Sequence, residues 1–104
     1  MHAYFLRRGD DILLEISINV AQAALGDTII IPTVDDETTL EIPSGTQSGE
    51  SFKVKGEGFP RLRRDGSSAG RGDQWVMVQV VVPKKLTERQ RELFTELAES
   101  LDTD

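Results

Sequence analysis

The sequence predicts a mainly β domain: a small β-sandwich of short strands carrying one helical turn and a C-terminal α-helix. Three observations point there. Ile12–Val20 and Gln74–Val82 alternate in side-chain character at period two, the mark of half-buried strands. Between them the chain is punctuated by glycine, serine and proline, the residues of tight connections. The one stretch with a sustained helical period comes last, beyond Pro83.

Residues 1–11 read as a lead-in segment, with Gly9-Asp10-Asp11 as the turn before the first strand. In that strand Ile12, Leu14, Ile16, Ile18 and Val20 share one face, while Leu13, Glu15, Ser17 and Asn19 share the other. Ala21–Leu25 is a short run of good helix formers stopped by Gly26, which predicts one helical turn with a glycine cap. Thr28–Pro32 is a second strand holding three consecutive isoleucines. Either Ile29 and Ile31 enter the core and Ile30 does not, or the reverse. Val34–Glu37 then turns into Thr38–Pro43.

Leu40–Pro60 is the most informative stretch. Leu40–Pro43 and Ser51–Lys55 read as the two strands of a hairpin, with Pro43 closing the first because it cannot donate to a ladder. Gly45 and Gly49 bracket the connection, and Gly56 and Gly58 turn the chain away before Phe59-Pro60. Arg61–Asp73 reads as the longest loop. Its Arg71-Gly72-Asp73 spells a tripeptide known from cell-adhesion ligands, but it reads better as the turn into the next strand.

Gln74–Val82 is the strongest strand, with Val76, Val78, Val80 and Val82 on one face and Trp75, Met77, Gln79 and Val81 on the other. Pro83 ends it. Thr87-Glu88-Arg89-Gln90 has the form of a capping box, opening a helix from Glu88 to about Ser100. Leu93, Phe94, Leu97 and Leu101 make one narrow stripe along it. A terminal helix with such a stripe covers either its own domain or a second chain.

Composition excludes several classes. With 104 residues, 38% hydrophobic and 29% charged, the chain has the balance of one folded domain, not of a disordered segment. It has no cysteine, which rules out disulfides and Cys-ligated zinc and agrees with a cytoplasmic location. No apolar run is long enough for a membrane helix. The net charge of −6 argues against general nucleic-acid binding. A local cluster of Lys53, Lys55, Arg61, Arg63, Arg64 and Arg71 reads as a solvated basic surface, with a local anionic partner as the alternative.

No catalytic constellation can be assembled. His2, the sole histidine, is expected to be structural, at a domain junction. Without cysteine there is no Cys–His pair, and no phosphate loop or zinc-helix motif is present. Gly56-Glu57-Gly58 lacks the third glycine of a dinucleotide loop, because position 61 is Arg. Asp35-Asp36-Glu37 offers oxygens to a hard cation, but adjacent acids in a turn read as solvated. No catalytic residue and no metal ligand is therefore assigned.

The residues also carry a resemblance. Ile42-Pro43-Ser44-Gly45-Thr46-Gln47-Ser48-Gly49, followed by Phe52 to Pro60, resembles the IPxGTQxGxxFRxxGxGxP signature of DnaJ-type co-chaperones, in the second of their two C-terminal β-domains. His2, Phe5, Arg7, Gly9, Asp11 and Ile12 match that domain's HxxFxRxGxDL opening. Pro32-Thr33-Val34-Asp35-Asp36 is similar to its PTLDG, with Asp36 where glycine is usual, and GRGDQ resembles the approach to its last long strand.

The resemblance implies a piece of a longer chain, in which residues 1–11 lead in from a preceding domain. Residues 12–84 would form the substrate-binding β-sandwich, and 86–101 the dimerisation helix, with Leu93, Phe94, Leu97 and Leu101 at a homodimer contact. It implies binding of unfolded or misfolded polypeptides for delivery to a DnaK-type ATPase through the full-length protein. Neither the HPD-bearing J-domain nor the CxxCxGxG zinc module is in this sequence, so no cofactor is expected here. Exposed apolar surface is what an unfolded segment would lie against. On that ground strand alternation nominates Leu13, Ile30, Trp75, Met77 and Val81 as client contacts. Two alternatives stay open: a purely structural pairing domain, and an unrelated β-sandwich module for an anionic ligand.

Overall fold

The computed structural model describes residues 3–101, with the side chains of Ala3 and Tyr4 outside the description. His2, expected at a domain junction, lies outside the described residues. The elements in chain order are β1 (Ala3–Arg8), β2 (Asp11–Asn19), α1 (Val20–Leu25), β3 (Asp27–Pro32), β4 (Glu37–Ile42), β5 (Ser51–Val54), β6 (Pro60–Leu62), β7 (Ser68–Arg71), β8 (Gln74–Val81) and α2 (Glu88–Ser100). The fold is mainly β, as the alternating patterns predict.

A four-stranded sheet, in the order β1-β2-β8-β5, forms the larger layer. At its centre β2 and β8 run parallel, with Ile12 beside Gln74 and Ile18 beside Val80, while β1 and β5 flank them antiparallel. The β3–β4 hairpin is the second layer. Period-two alternation sends Leu14, Ile16 and Ile18 of β2 and Val76 and Val78 of β8 inward. There they meet Ile29, Ile31, Leu40, Ile42 and Ala23 in one buried cluster. Of the three isoleucines of β3, Ile29 and Ile31 are buried and Ile30 is 60% exposed.

The short helix α1 is closed at both ends. Asn19 accepts the Gln22 amide at 2.8 Å while the Gln22 side chain returns to the Asn19 amide, and Gly26 follows at φ 81. A Cβ at Gly26 would press on the Ile42 carbonyl and the Ser44 amide, so this position needs glycine for space as well as for its dihedral.

Four expectations need correction. Residues 3–8 of the lead-in form a full strand, β1, paired along β2 from Ala3↔Ile16 to Arg8↔Asp11. The stretches 40–43 and 51–55 are not a hairpin: β4 pairs with β3, and β5 pairs with β8. The connection between them crosses from one sheet to the other. It is pinned to α1 by the Gly45 and Thr46 amides, which donate to the Ala23 carbonyl at 2.9 and 3.0 Å. Its far end is fixed to β8 by the Gly49 amide on the Val78 carbonyl at 2.8 Å. Pro43 thus ends a strand of the second layer, not one arm of a hairpin. Arg61–Asp73 is not an open loop, because it contains the β6–β7 hairpin. Its turn is closed by the Arg63 amide on the Ser67 carbonyl and by Asp65, whose carboxylate accepts from the Ser67 amide and hydroxyl. Finally β8 stops at Val81, and Val82, placed inward by parity, is 68% exposed.

Asp36, where the resemblance expects glycine, has no left-handed backbone to bear. Among the described residues no non-glycine has a positive φ. Instead Asp36 and Thr33 exchange hydrogen bonds: the Thr33 amide donates to the Asp36 carbonyl at 2.8 Å, and the Asp36 amide to the Thr33 hydroxyl at 3.1 Å.

Candidate binding surfaces

Three groups of uncovered apolar side chains stand out among the described residues. The first is the outer face of the four-stranded sheet. Register sets Leu13 beside Trp75, Glu15 beside Met77 and Asn19 beside Val81, so four of the five nominated side chains share this face. Leu6 of β1 extends the row next to Leu13, and Lys53 of β5 ends it with its ammonium 5.9 Å from the Trp75 ring. Leu13 and Met77 are half-buried, Trp75 is 38% exposed and Val81 50%. Ile30 does not join them. It projects from the opposite outer face, on the β3–β4 hairpin beside Thr39, with the whole core between. A single site can therefore hold Leu13, Trp75, Met77 and Val81, but not Ile30.

The second place is a cleft of about 300 Å³ lined by Phe5, Leu6, Arg7, Ile12, Thr33, Val34 and Phe59. No single stretch of sequence announces it, because its walls come from β1, β2, the β3–β4 turn and the segment before β6. A knot of backbone hydrogen bonds brings them together. The Phe59 amide donates to the Asp10 carbonyl at 2.8 Å, the Gly72 amide to the Phe59 carbonyl at 2.9 Å, and the Gly58 amide to the Gly72 carbonyl at 2.9 Å. Asp11 joins by accepting the Asp73 amide at 2.8 Å. Gly72 is buried against the Asp10 carbonyl, with no room there for a side chain. Phe59 is thereby held beneath Arg7, whose guanidinium lies 4.2 Å from the ring centre. Beside the cleft, β1 is an edge strand with one side unpaired among the described residues. An unpaired edge presents a row of backbone donors and acceptors to any extended segment.

The third is α2. Thr87 caps it as the sequence predicts, accepting the Gln90 amide at 3.1 Å while the Gln90 side chain accepts the Thr87 amide at 2.8 Å. None of its residues is buried: Leu93 and Leu97 are 47% and 48% exposed, and Leu101, just past its end, 62%. Phe94 is half-buried, sharing an open groove with Ile18, Val20, Val81, Pro83 and Gln90. The molecule is 63 Å long and 27 by 19 Å across. Of the two roles open to the helix, covering its own domain or a second chain, it performs little of the first: Phe94 meets the end of the sheet, while Leu93, Leu97 and Leu101 stay open.

The basic cluster is largely neutralised where it meets the sandwich. Arg71 pairs with Asp35 at 2.8 Å, Arg61 with Asp10 at 3.3 Å, and Lys53 with Asp73 at 3.6 Å. Asp73 also accepts the Gly56 amide at 2.9 Å, and that bond, helped by Lys53, holds its carboxyl below the ordinary aspartate range. Asp65 is lowered too, by its two bonds from Ser67. The Arg71-Gly72-Asp73 tripeptide is structural: Arg71 binds Asp35 and the Gly58 carbonyl, Gly72 is buried, and Asp73 holds Gly56 and Lys53. Among the described residues no group of three acidic or histidine side chains is placed to hold a metal ion, and Asp35 is committed to Arg71. No helix among the described residues is long and apolar enough to cross a membrane.

The chain is thus a two-layer β module with open apolar surfaces and an unburied terminal helix, and comparison with known proteins gives its family. The family model described as DnaJ C terminal domain matches residues 1–83, and the chain belongs to that family. It is 53% identical over 103 residues to a protein named Chaperone protein DnaJ from Roseiflexus sp. (strain RS-1), covering 99% of this chain and 27% of that protein. Similar proteins of the same name occur in Brevibacillus choshinensis, at 51% identity over 94% of this chain and 25% of theirs, and in Geobacillus thermodenitrificans (strain NG80-2), at 50% over 91% and 24%. The chain thus spans about a quarter of the length of these relatives.

Proposed function

We propose that this module holds non-native polypeptide segments and pairs with a second copy of itself, as the C-terminal part of a DnaJ-type co-chaperone. The observation that carries the proposal is the apolar cleft beside the unpaired edge of β1. An extended segment lying along that edge gains main-chain hydrogen bonds and places a large side chain against Phe5, Val34 and Phe59. Leu13, Trp75, Met77 and Val81, on the far side of the same sheet, offer a second apolar surface of the adaptable kind that methionine favours. Pairing through Leu93, Phe94, Leu97 and Leu101 would set two such modules in one particle, so that two weak contacts on one client act at high effective concentration.

On this reading the β module includes β1 and runs to about residue 84, and residues 86–101 are the pairing element. Client transfer to a DnaK-type ATPase, in the cytoplasm, would depend on the rest of the full-length protein. This stretch acts without a cofactor, and any zinc belongs to another module of the longer chain. The test is suppression of aggregation of a chemically denatured model protein by this chain, together with anisotropy of a labelled unfolded peptide. Val34→Asp, which puts a charge in the cleft without touching the core, is expected to weaken peptide binding about tenfold or more. Wild-type binding by Val34→Asp would remove the cleft from the account. A chain that dimerises yet binds no peptide would favour a purely structural pairing domain.

A further inference from the structure

The cleft proposed above as a client site is not electrically neutral, and we infer that Arg7 makes it selective for apolar segments flanked by an acidic residue. This inference rests on the cleft reading and deepens it. Arg7 lies on β1 in the cleft wall, and two contacts fix it: its Nε donates to the Gly9 carbonyl at 2.8 Å, and its guanidinium lies over the Phe59 ring at 4.2 Å. No carboxylate among the described residues comes within ion-pair distance of it. The nearby acids are engaged elsewhere, Asp10 with Arg61 and Asp35 with Arg71. Arg7 is thus a positioned cation whose terminal guanidinium nitrogens have no hydrogen-bond partner among the described residues, in the wall of an apolar cleft and on a free strand edge. Such a group favours a carboxylate on any segment paired along β1.

The opposite lip has the other sign. Asp36 in the β3–β4 turn and Glu37 at the start of β4 are exposed, whereas their neighbour Asp35 is paired with Arg71. They would repel an acidic side chain placed on their side. The acid of the bound segment therefore belongs on the β1 side of the apolar anchor, and a basic flank is disfavoured next to Arg7. The attraction is that of a partly exposed charge pair, worth about two- to fivefold in affinity, and it should fade with salt.

The experiment compares labelled nonapeptides that share one Leu-Phe core and carry Asp, Gln or Lys flanks, by fluorescence anisotropy at low and high salt. Wild-type chain, Arg7→Gln, Arg7→Lys and Val34→Asp are used, each checked for folding by circular dichroism. The readout is the ratio of affinities for the Asp- and Gln-flanked peptides. We expect a ratio of about two to five in wild type and in Arg7→Lys, falling to about one in Arg7→Gln and in wild type at high salt. Equal affinities in wild type, or a ratio that survives Arg7→Gln, would overturn the selectivity while leaving the cleft standing. Full binding of every peptide by Val34→Asp would overturn the cleft itself.

Discussion

The apolar residues of β2 and those of α2 are patterned with equal regularity and meet opposite fates. Along β2 every second side chain, from Ile12 to Ile18, is at most 3% exposed, and Leu14, Ile16 and Ile18 share one cluster with residues of β3, β4 and α1. Along α2 Leu93 and Leu97 are nearly half-exposed, and of the stripe Phe94 alone is half-buried, in an open groove at the end of the sheet. The two regions obey the same hydrophobic physics but differ in where the partner surface comes from. The sandwich finds its partner within the chain. The leucines of the helix have none among the described residues, and each such side chain fully buried against a second chain would gain about 1.5–3 kcal/mol.

Substitutions sharpen that contrast. The largest effect is expected in the sandwich: Leu14→Ala should cost about 2–5 kcal/mol, read as a lowered denaturant midpoint, because Leu14 is fully enclosed and its removal leaves a cavity. Gly72→Ala should follow at about 1–3 kcal/mol in the same measurement, since its new methyl would collide with the Asp10 backbone that anchors the cleft. Breaking the Arg71–Asp35 pair by Asp35→Asn should cost no more than about 1 kcal/mol, and less at high salt, because Asp35 is largely exposed and Arg71 partly so.

The smallest effect is a change of shape in the acid limb of stability. The Asp73 carboxyl is held below its ordinary value of 3.8 by the Gly56 amide, so folding favours its charged form. Its contribution is full above that value and is lost as pH falls through the lower folded-state value. Asp73→Asn should therefore flatten the stability curve below about pH 4, where wild type still declines.

Much of this fold was legible because single segments carried it. The alternation of Ile12–Ile18 and Val76–Val78, the Gly26 cap and the Thr87 capping box each depend on residues a few positions apart. What escaped was non-local. β1 has weak alternation of its own and becomes a strand by pairing with β2. Ser51–Val54 follows a glycine turn, as a hairpin strand would, yet it pairs with β8, across the whole β6–β7 hairpin. The Asn19–Gln22 capping box was visible as N-x-x-Q, and the flanking strand pattern masked it. The cleft could not be read at all, since Phe5, Val34 and Phe59 share no periodicity. Of the nominated client contacts, parity placed Leu13, Trp75, Met77 and Val81 on one face. It could not tell that the face bearing Ile30 belongs to the other layer.

The central claim is that α2 is a pairing element whose partner is a second copy. The direct test is solution mass across a concentration series, for wild type and for Leu97→Asp, with circular dichroism on both. The account predicts a wild-type dimer that dissociates on dilution, and a Leu97→Asp monomer whose β fold is intact. A wild-type monomer at every concentration, equally folded, would contradict it and leave the helix stripe without a role.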